Sequence, residues 1–455
     1  MFQFITLPLF MLLCTAAVFS STWALVLAAL MFGIEQSLQT SSPIFLEKSW
    51  LANVFVGLSC MFSVLRVLVT KPGSLRGYFT PMLIGVLVLH GWWLVTLVWT
   101  PSTEGALDIL SKNYPYFGLF VFLAPVLLND IEDVAKFGRA LLYSGILVML
   151  TLVLNPEFGT WSGRMGLIVG GKIITSPLAI GELGGTLIIL ASLLRSGPAP
   201  ALLLTARVAA FILGAILALQ SGSRGQLVFS VVIAVGFIPV SKRVKSIPAF
   251  IGTAIAIGVM GVAVMLLASQ ILYGFALDRW GAGQLDSGFQ ERLANATDLL
   301  GAFVRDPIAW MLGLGANAFR SLSAVAAKDE YPHNVPVEIL CELGIPMAVL
   351  FCALLVMGLR DFLSLFRRFA ADSERRVGLA VLLALATYQF LLCNKQSNMW
   401  GNSMLFFFLL LIARLRARSD MFAEEDGAYS EGSEYSEGDA HQHEHAEEDA
   451  HTAPA

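Results

Sequence analysis

The chain has little charge for its length. Charged residues make up 14% of its 455 residues, whereas they are about a quarter of a soluble domain. Hydrophobic residues reach 56% and lie in long runs. Because about 20 apolar residues cross a bilayer as one helix, this pattern excludes a soluble enzyme and predicts an all-α polytopic membrane protein.

Paired cysteines, metal-ligand clusters and a basic nucleic-acid-binding stripe are also lacking. The five cysteines are scattered through apolar runs without a CxxC pair, so the sequence predicts neither disulfides nor a metal site and calls for no cofactor. No basic stripe carries interleaved aromatics, which excludes nucleic acid as a partner. The apolar N-terminus lacks the basic segment of a signal peptide and is predicted to be a retained membrane helix.

The apolar runs predict 12 or 13 transmembrane helices, depending on residues 4–34. That first run is too long for one simple span, and a polar break at Ser20, Ser21 and Thr22 can divide it into two helices. The other runs are 51–69, 79–99, 114–128, 139–154, 176–194, 203–220, 226–240, 248–268, 337–358, 377–392 and 402–413.

Lysine and arginine are distributed unequally between alternating connections. One set holds most of the 29 basic residues and is therefore predicted to be cytoplasmic, together with the C-terminus. The opposite, outer set contains the loop 155–175, the turn Ser221-Gly222-Ser223-Arg224-Gly225 and a long segment, 269–336. A connection of that length is more often functional than not, and Phe289 to Val304 has the pattern of an amphipathic surface helix.

Four regions follow from these boundaries. Residues 1–268 are an N-terminal transmembrane bundle, 269–336 the long outer segment, and 337–418 the C-terminal transmembrane helices. Residues 419–455 are rich in acidic residues, serine, glycine and histidine, which predicts a disordered cytoplasmic tail. Its histidines, His441, His443, His445 and His451, either bind a transition metal loosely or belong to a solvated low-complexity segment.

Basic residues and one histidine are the outer residues that could carry chemistry. Arg224 lies among small residues that let an anion approach the backbone, so it is either a phosphate clamp or an interfacial anchor. The same alternatives hold for Arg164. His333 lies between two prolines, next to Asn334 and one helical turn from Glu338, so it is either a catalytic base or a satisfied polar residue.

Several stretches between residues 160 and 350 together resemble the O-antigen ligase/polymerase superfamily of bacterial envelope glycan enzymes. The Ser221–Gly225 turn is similar to the family's SxSRG turn, and His333-Asn334 with Glu338, Glu342 and Gly344 to its HN…E…ELG pattern. Between them, Arg292, Pro307 and the run Gly313 to Phe319 resemble its R…P…GxGxxxF loop. Arg164 and the stretch Ser176 to Gly181 resemble an earlier motif more loosely.

This resemblance implies a GT-C-like membrane glycosyltransferase in the bacterial inner membrane with a periplasmic active site. It implies transfer of a glycan from undecaprenyl diphosphate to a hydroxyl acceptor such as lipid A core or another glycan, with inversion and without a metal. His333 is then the catalytic residue, and the residues binding the diphosphate or substrate are Arg164, Arg224, Arg292, Asn334 and Glu338.

The sequence leaves alternatives to this reading. Ala294, Asn295 and Ala296 stand where the family often has a tryptophan after the arginine. The arginine–glycine spacing typical of many O-antigen polymerases is missing, which argues against a typical O-antigen polymerase but leaves ligation and exopolysaccharide polymerisation both open. A transporter or flippase of lipid-linked glycan is the rival class, although its inverted repeats are not visible, and a structural envelope protein is a third.

Overall fold

The computed structural model describes residues 3–421, except for 49, 156–157, 162–163, 170–171, 174–175, 196–198, 223, most of 243–281, 323–330 and 397. Most of the predicted span 248–268 and nearly all of the predicted acidic tail therefore lie outside the described residues.

The described chain is built almost entirely of helices. The long ones that precede the outer segment are α1 (Gln3–Phe19), α2 (Ser21–Ser41), α4 (Trp50–Thr70), α5 (Pro81–Val95), α8 (Glu132–Val153), α9 (Pro177–Leu193), α10 (Pro200–Gln220) and α11 (Arg224–Ser241). Shorter pieces among them are α3 (Pro43–Glu47), α6 (Thr103–Tyr116), a π-helical segment (Phe117–Phe122) and α7 (Ala124–Leu127). Later helices are α12 (Ala282–Arg305), α13 (Pro307–Leu312), α14 (Phe319–Leu322), α15 (Val335–Leu343), α16 (Ile345–Arg368), α17 (Ser373–Cys393) and α18 (403–421).

Seven helices in the described part are long and apolar enough to cross a membrane, and three apolar helices are shorter. The predicted all-α polytopic membrane fold is therefore confirmed. The first apolar run is two helices, because the extended backbone at Ser20 separates α1 from α2. The total of 12 or 13 spans stays a prediction.

Three predicted segments differ in detail from the structure. The outer loop 155–175 contains a small antiparallel sheet, in which Trp161 pairs with Arg164 and Ile168 with Ile173. The run 337–358 is divided by Gly344, whose φ of 89° breaks the helix into α15 and α16. The run 114–128 is divided between the end of α6, the π-helical segment and α7, which has Pro125 in its first turn.

The core of the bundle forms where α9 packs against α10 and α11, and α17 against α8 and α11. Gly184 and Gly214 allow a close crossing of α9 and α10, since a Cβ on either would lie 2.6–2.7 Å from the other's carbonyl oxygen. Leu187, Ile188 and Leu217 are fully buried at this contact. Small residues at such crossings let helices associate closely in a bilayer.

Ion pairs gather at one end of the bundle. Arg139 contacts Glu374 at 2.7 Å and Arg375 contacts Glu132 at 3.0 Å, which ties α8 to the start of α17. Arg414 donates to the backbone oxygens of Ser74 and Arg76. Basic residues from several of the connections that the charge pattern assigns to one side thus lie at this end, and we call it the basic end.

Candidate functional site

The opposite end carries the sequence motifs, and α15 is its central element. The side chain of Asn334 caps this helix by accepting a 3.0 Å hydrogen bond from the Val337 amide, and Pro336 occupies the first turn. Both features favour a helix start at this position. His333 consequently lies one residue before the helix cap, so its position relative to α15 is fixed.

His333 adopts an unusual backbone conformation. Its φ is +58°, a left-handed value that costs an ordinary residue about 1 kcal/mol or more. Its ring lies 4.5 Å from the ring of Tyr331, centroid to centroid. The turn therefore presents the imidazole beside an aromatic ring, and a strained residue at a motif is a signal of function.

Arg292 on α12 interacts electrostatically with Tyr331, two residues before His333. Burial lowers the pKa of its guanidinium, and the neighbouring Glu291 carboxyl and Tyr331 hydroxyl act in the opposite direction. Because Tyr331 interacts with both Arg292 and His333, the structure brings two predicted site residues together around it. The half-buried guanidinium remains cationic near neutral pH, as arginine does in proteins.

The glycine-rich run Gly313 to Phe319 is clamped onto the end of α15. The Glu342 carboxylate accepts from the amides of Asn317 at 2.7 Å and Phe319 at 3.1 Å. Gly313 has a φ of 81°, and a Cβ there would lie 2.0 Å from the Glu342 carbonyl oxygen. The two motif stretches of the outer segment therefore form one interlocked structure that fixes the direction of α15.

A loop that the sequence reading passed over, residues 394–402, joins the two halves of the site. Both oxygens of Glu338, which is 5% exposed, accept from the Met399 amide at 3.1 and 3.2 Å. In the same loop, the Lys395 ammonium donates to Gln226 Oε1 at 2.6 Å, next to the Ser221–Gly225 turn. We call the end formed by this turn, the 394–402 loop and the start of α15 the motif end.

A buried network of amides and one carboxylate underlies this loop. Gln389 Nε2 donates to Glu182 at 2.8 Å, and Gln396 Nε2 donates to it at 3.1 Å. Gln226 Nε2 in turn donates to Gln396 Oε1. The first turns of α9 and α11 and the end of α17 are thereby connected through hydrogen bonds.

The predicted site residues have different outcomes. His333, Asn334 and Glu338 lie at the start of α15, and Arg292 on α12 interacts electrostatically with Tyr331. Asn334 and Glu338 already accept hydrogen bonds from backbone amides, so substrate binding by them stays a prediction. Arg164 begins β2 and Arg224 begins α11, and the side chains of both lie outside the described residues.

Lys395, Gln226 and Glu182 were missed by the sequence reading, although each lies at the motif end. The feature of the sequence that could have identified them is a charged or amide residue at the edge of an apolar run. Such residues are common membrane-interface anchors, so that signal alone does not separate them from solvated positions.

Residues 209–352 match the family model described as O-antigen ligase. The match begins in α10, includes the Ser221–Gly225 turn and α15, and ends within α16. The resemblance read from the motifs is thus confirmed, and this O-antigen ligase-like region lies within a multi-pass membrane protein. A search of curated protein sequences gave no match for the chain.

Proposed function

We propose that this protein transfers a glycan from undecaprenyl diphosphate to a hydroxyl acceptor at the periplasmic face of the inner membrane. The acceptor is lipid A core, as in ligation, or the end of another glycan, as in polymerisation. The observation that carries the proposal is the 394–402 loop, which contacts both the Ser221–Gly225 turn and the helix that follows His333.

The proposed chemistry divides between cations and a base. Arg292, Arg224 and Arg164 hold the diphosphate, so that charge growing on the leaving group is stabilised as the bond from C1 to the phosphate oxygen breaks. The acceptor hydroxyl oxygen forms the new bond to C1 from the opposite face, which inverts the anomeric centre. Its proton goes to His333, and the electron pair of the broken bond leaves with undecaprenyl diphosphate.

Arginine supplies the positive charge that a metal ion provides in other glycosyl transfers, so the proposed reaction proceeds without one. The guanidinium binds phosphate oxygens through two parallel hydrogen bonds. Transfer by the purified protein in detergent should therefore persist in EDTA and without nucleotide. Movement of the donor across vesicles without transfer would instead support the flippase.

Replacement of His333 tests the base role. His333→Asn removes the imidazole but keeps a residue that tolerates a positive φ, so the turn should remain folded. We expect transfer to fall by about 100-fold or more, the usual contribution of a positioned base, while binding of undecaprenyl diphosphate stays unchanged. His333→Ala should lose transfer similarly.

His90 offers a matched control, because it is a buried histidine in α5 that the proposal does not use. His90→Asn should keep transfer wherever the protein still folds, as judged by gel filtration and thermal stability. Near-normal transfer by His333→Asn would refute the base role.

A further inference from the structure

We infer that Lys395 is a further donor-binding residue, whose ammonium contacts the diphosphate of the lipid-linked donor beside the Ser221–Gly225 turn. This inference rests on the proposed function, because it takes the donor to be a polyprenyl diphosphate. It adds a residue from outside the stretch 209–352 that matches the O-antigen ligase family.

The position of Lys395 is the first argument. Its side chain lies over the first turn of α11, so close that a Cβ on Gly225 would lie 2.4 Å from its Cδ and 2.6 Å from its Nζ. Gly225 directly follows Arg224 in the chain. The ammonium is therefore placed at the turn where the proposed function already requires positive charge.

The hydrogen-bond network explains why the ammonium points there. Glu182 accepts a hydrogen bond from Nε2 of Gln396 at 3.1 Å. The Oε1 side of Gln396 then accepts from Gln226 Nε2, which turns Gln226 Oε1 towards Lys395 at 2.6 Å. This chain of hydrogen bonds thus runs from Glu182 through both amides, and its outermost acceptor, Gln226 Oε1, orients the lysine.

In this chain of bonds, Lys395 donates to the side-chain amide of Gln226, which fixes the ammonium beside the Ser221–Gly225 turn. The side chain is half-buried, at the end of a bundle whose helices are apolar. A lysine held in this way is suited to a phosphate oxygen, for which it acts as a compact point charge.

The same loop places this cation in a fixed relation to the proposed base. Met399, four residues after Lys395, is held through its amide by Glu338, and Glu338 lies five residues after His333. The phosphate oxygen that leaves and the hydroxyl that attacks must flank one sugar carbon. An element connected to both the turn and α15 meets that requirement.

Binding of undecaprenyl diphosphate to the purified, detergent-solubilised protein tests this inference, with undecaprenol as an uncharged comparison. We expect Lys395→Met to weaken binding of the diphosphate by about tenfold or more, the loss of one charge-assisted hydrogen bond, and to leave undecaprenol binding unchanged. Lys395→Arg should retain most of the affinity. Lys48→Met is the matched control, because Lys48 is an exposed lysine that the proposal does not use.

Each other outcome has a definite meaning. If the unaltered protein binds undecaprenyl diphosphate and Lys395→Met binds it equally well, the inference is wrong and the proposed function stands. If Lys395→Met weakens undecaprenol binding and thermal stability to the same degree, Lys395 is structural and the inference is again wrong. If the unaltered protein does not bind undecaprenyl diphosphate, the proposed function itself fails.

Discussion

Gly225 occupies a position where any larger residue meets the side chain of Lys395. The contact is with the flexible end of a lysine, so a methyl group there moves the lysine and leaves the backbone in place. Gly225 also lies in the first turn of α11, where alanine favours the helix over glycine by about 1 kcal/mol. Alanine at this position is therefore expected to stabilise the helix but to displace the side chain of Lys395.

Gly225→Ala should accordingly keep or raise thermal stability while weakening binding of undecaprenyl diphosphate about as much as Lys395→Met does. Because both changes act on one ammonium group, the double variant should bind no more weakly than Lys395→Met alone. Affinities of the two single variants and the double variant measure this coupling. Additive losses would show that Gly225 acts independently of Lys395.

At the scale of elements, α15 is held by a carboxylate at each end of its buried face. Glu338 accepts from Met399 and Glu342 from the run Gly313 to Phe319. Burial raises the pKa of Glu342 to about 7, and its hydrogen bonds from the Phe319, Asn317 and Ala318 amides act in the opposite direction. Burial, and then the proximity of Glu342, also raise the pKa of Glu338.

These shifts make stability depend on pH near neutrality. Between the usual pKa of 4.5 and about 7, the folded protein holds a proton on Glu342 that the unfolded chain has released. The stabilising contribution is thus fully present below pH 4.5 and is lost as pH rises through 7. We expect the melting temperature in detergent to fall from pH 5 to pH 8.

Glu342→Gln isolates this effect, since glutamine keeps an acceptor for the loop amides but does not titrate. Its melting temperature should change less between pH 5 and pH 8 than that of the unaltered protein. Glu338→Gln should reduce the dependence too, because burial shifts its pKa in the same direction. An unchanged slope in Glu342→Gln would mean that this carboxyl stays ionised in the folded protein.

Local sequence patterns predicted individual helices well, but they predicted the breaks between helices poorly. Apolar runs located most of the long helices, and the polar break at Ser20 correctly divided α1 from α2. The break at Gly344 was missed because its cause is tertiary: a Cβ there would lie 2.7 Å from the Met311 carbonyl oxygen. No local period encodes the proximity of residues that far apart in sequence.

In the candidate site, too, the sequence predicted some residues and missed others, and the difference depends on the whole molecule. Motifs identified Arg292 and His333, which the structure places around Tyr331. The connection from Glu182 through Gln396 and Gln226 to Lys395 joins two helices and one loop, so no single stretch of sequence displays it. Residues that belong to a motif could be predicted from the sequence. Residues that connect one motif to another could be identified only from the folded structure.

Sidedness is the property of the whole molecule on which the proposed function depends. The helix α17 runs from the basic end, near Ala371, to the motif end, near Asn394, and both residues are exposed. The positive-inside rule predicts that the basic end is cytoplasmic, because lysine and arginine near the ends of short loops resist translocation. The proposed donor site then faces the periplasm.

Single cysteines at these two positions test that orientation, in a background with the exposed native Cys352 replaced by serine. The other native cysteines are buried, so they should react little with a membrane-impermeant maleimide. Asn394→Cys should be labelled in intact cells whose outer membrane alone is permeabilised, and Ala371→Cys only after the inner membrane is disrupted. The reverse pattern would place His333 and Lys395 in the cytoplasm, where a periplasmic glycan transfer could not occur.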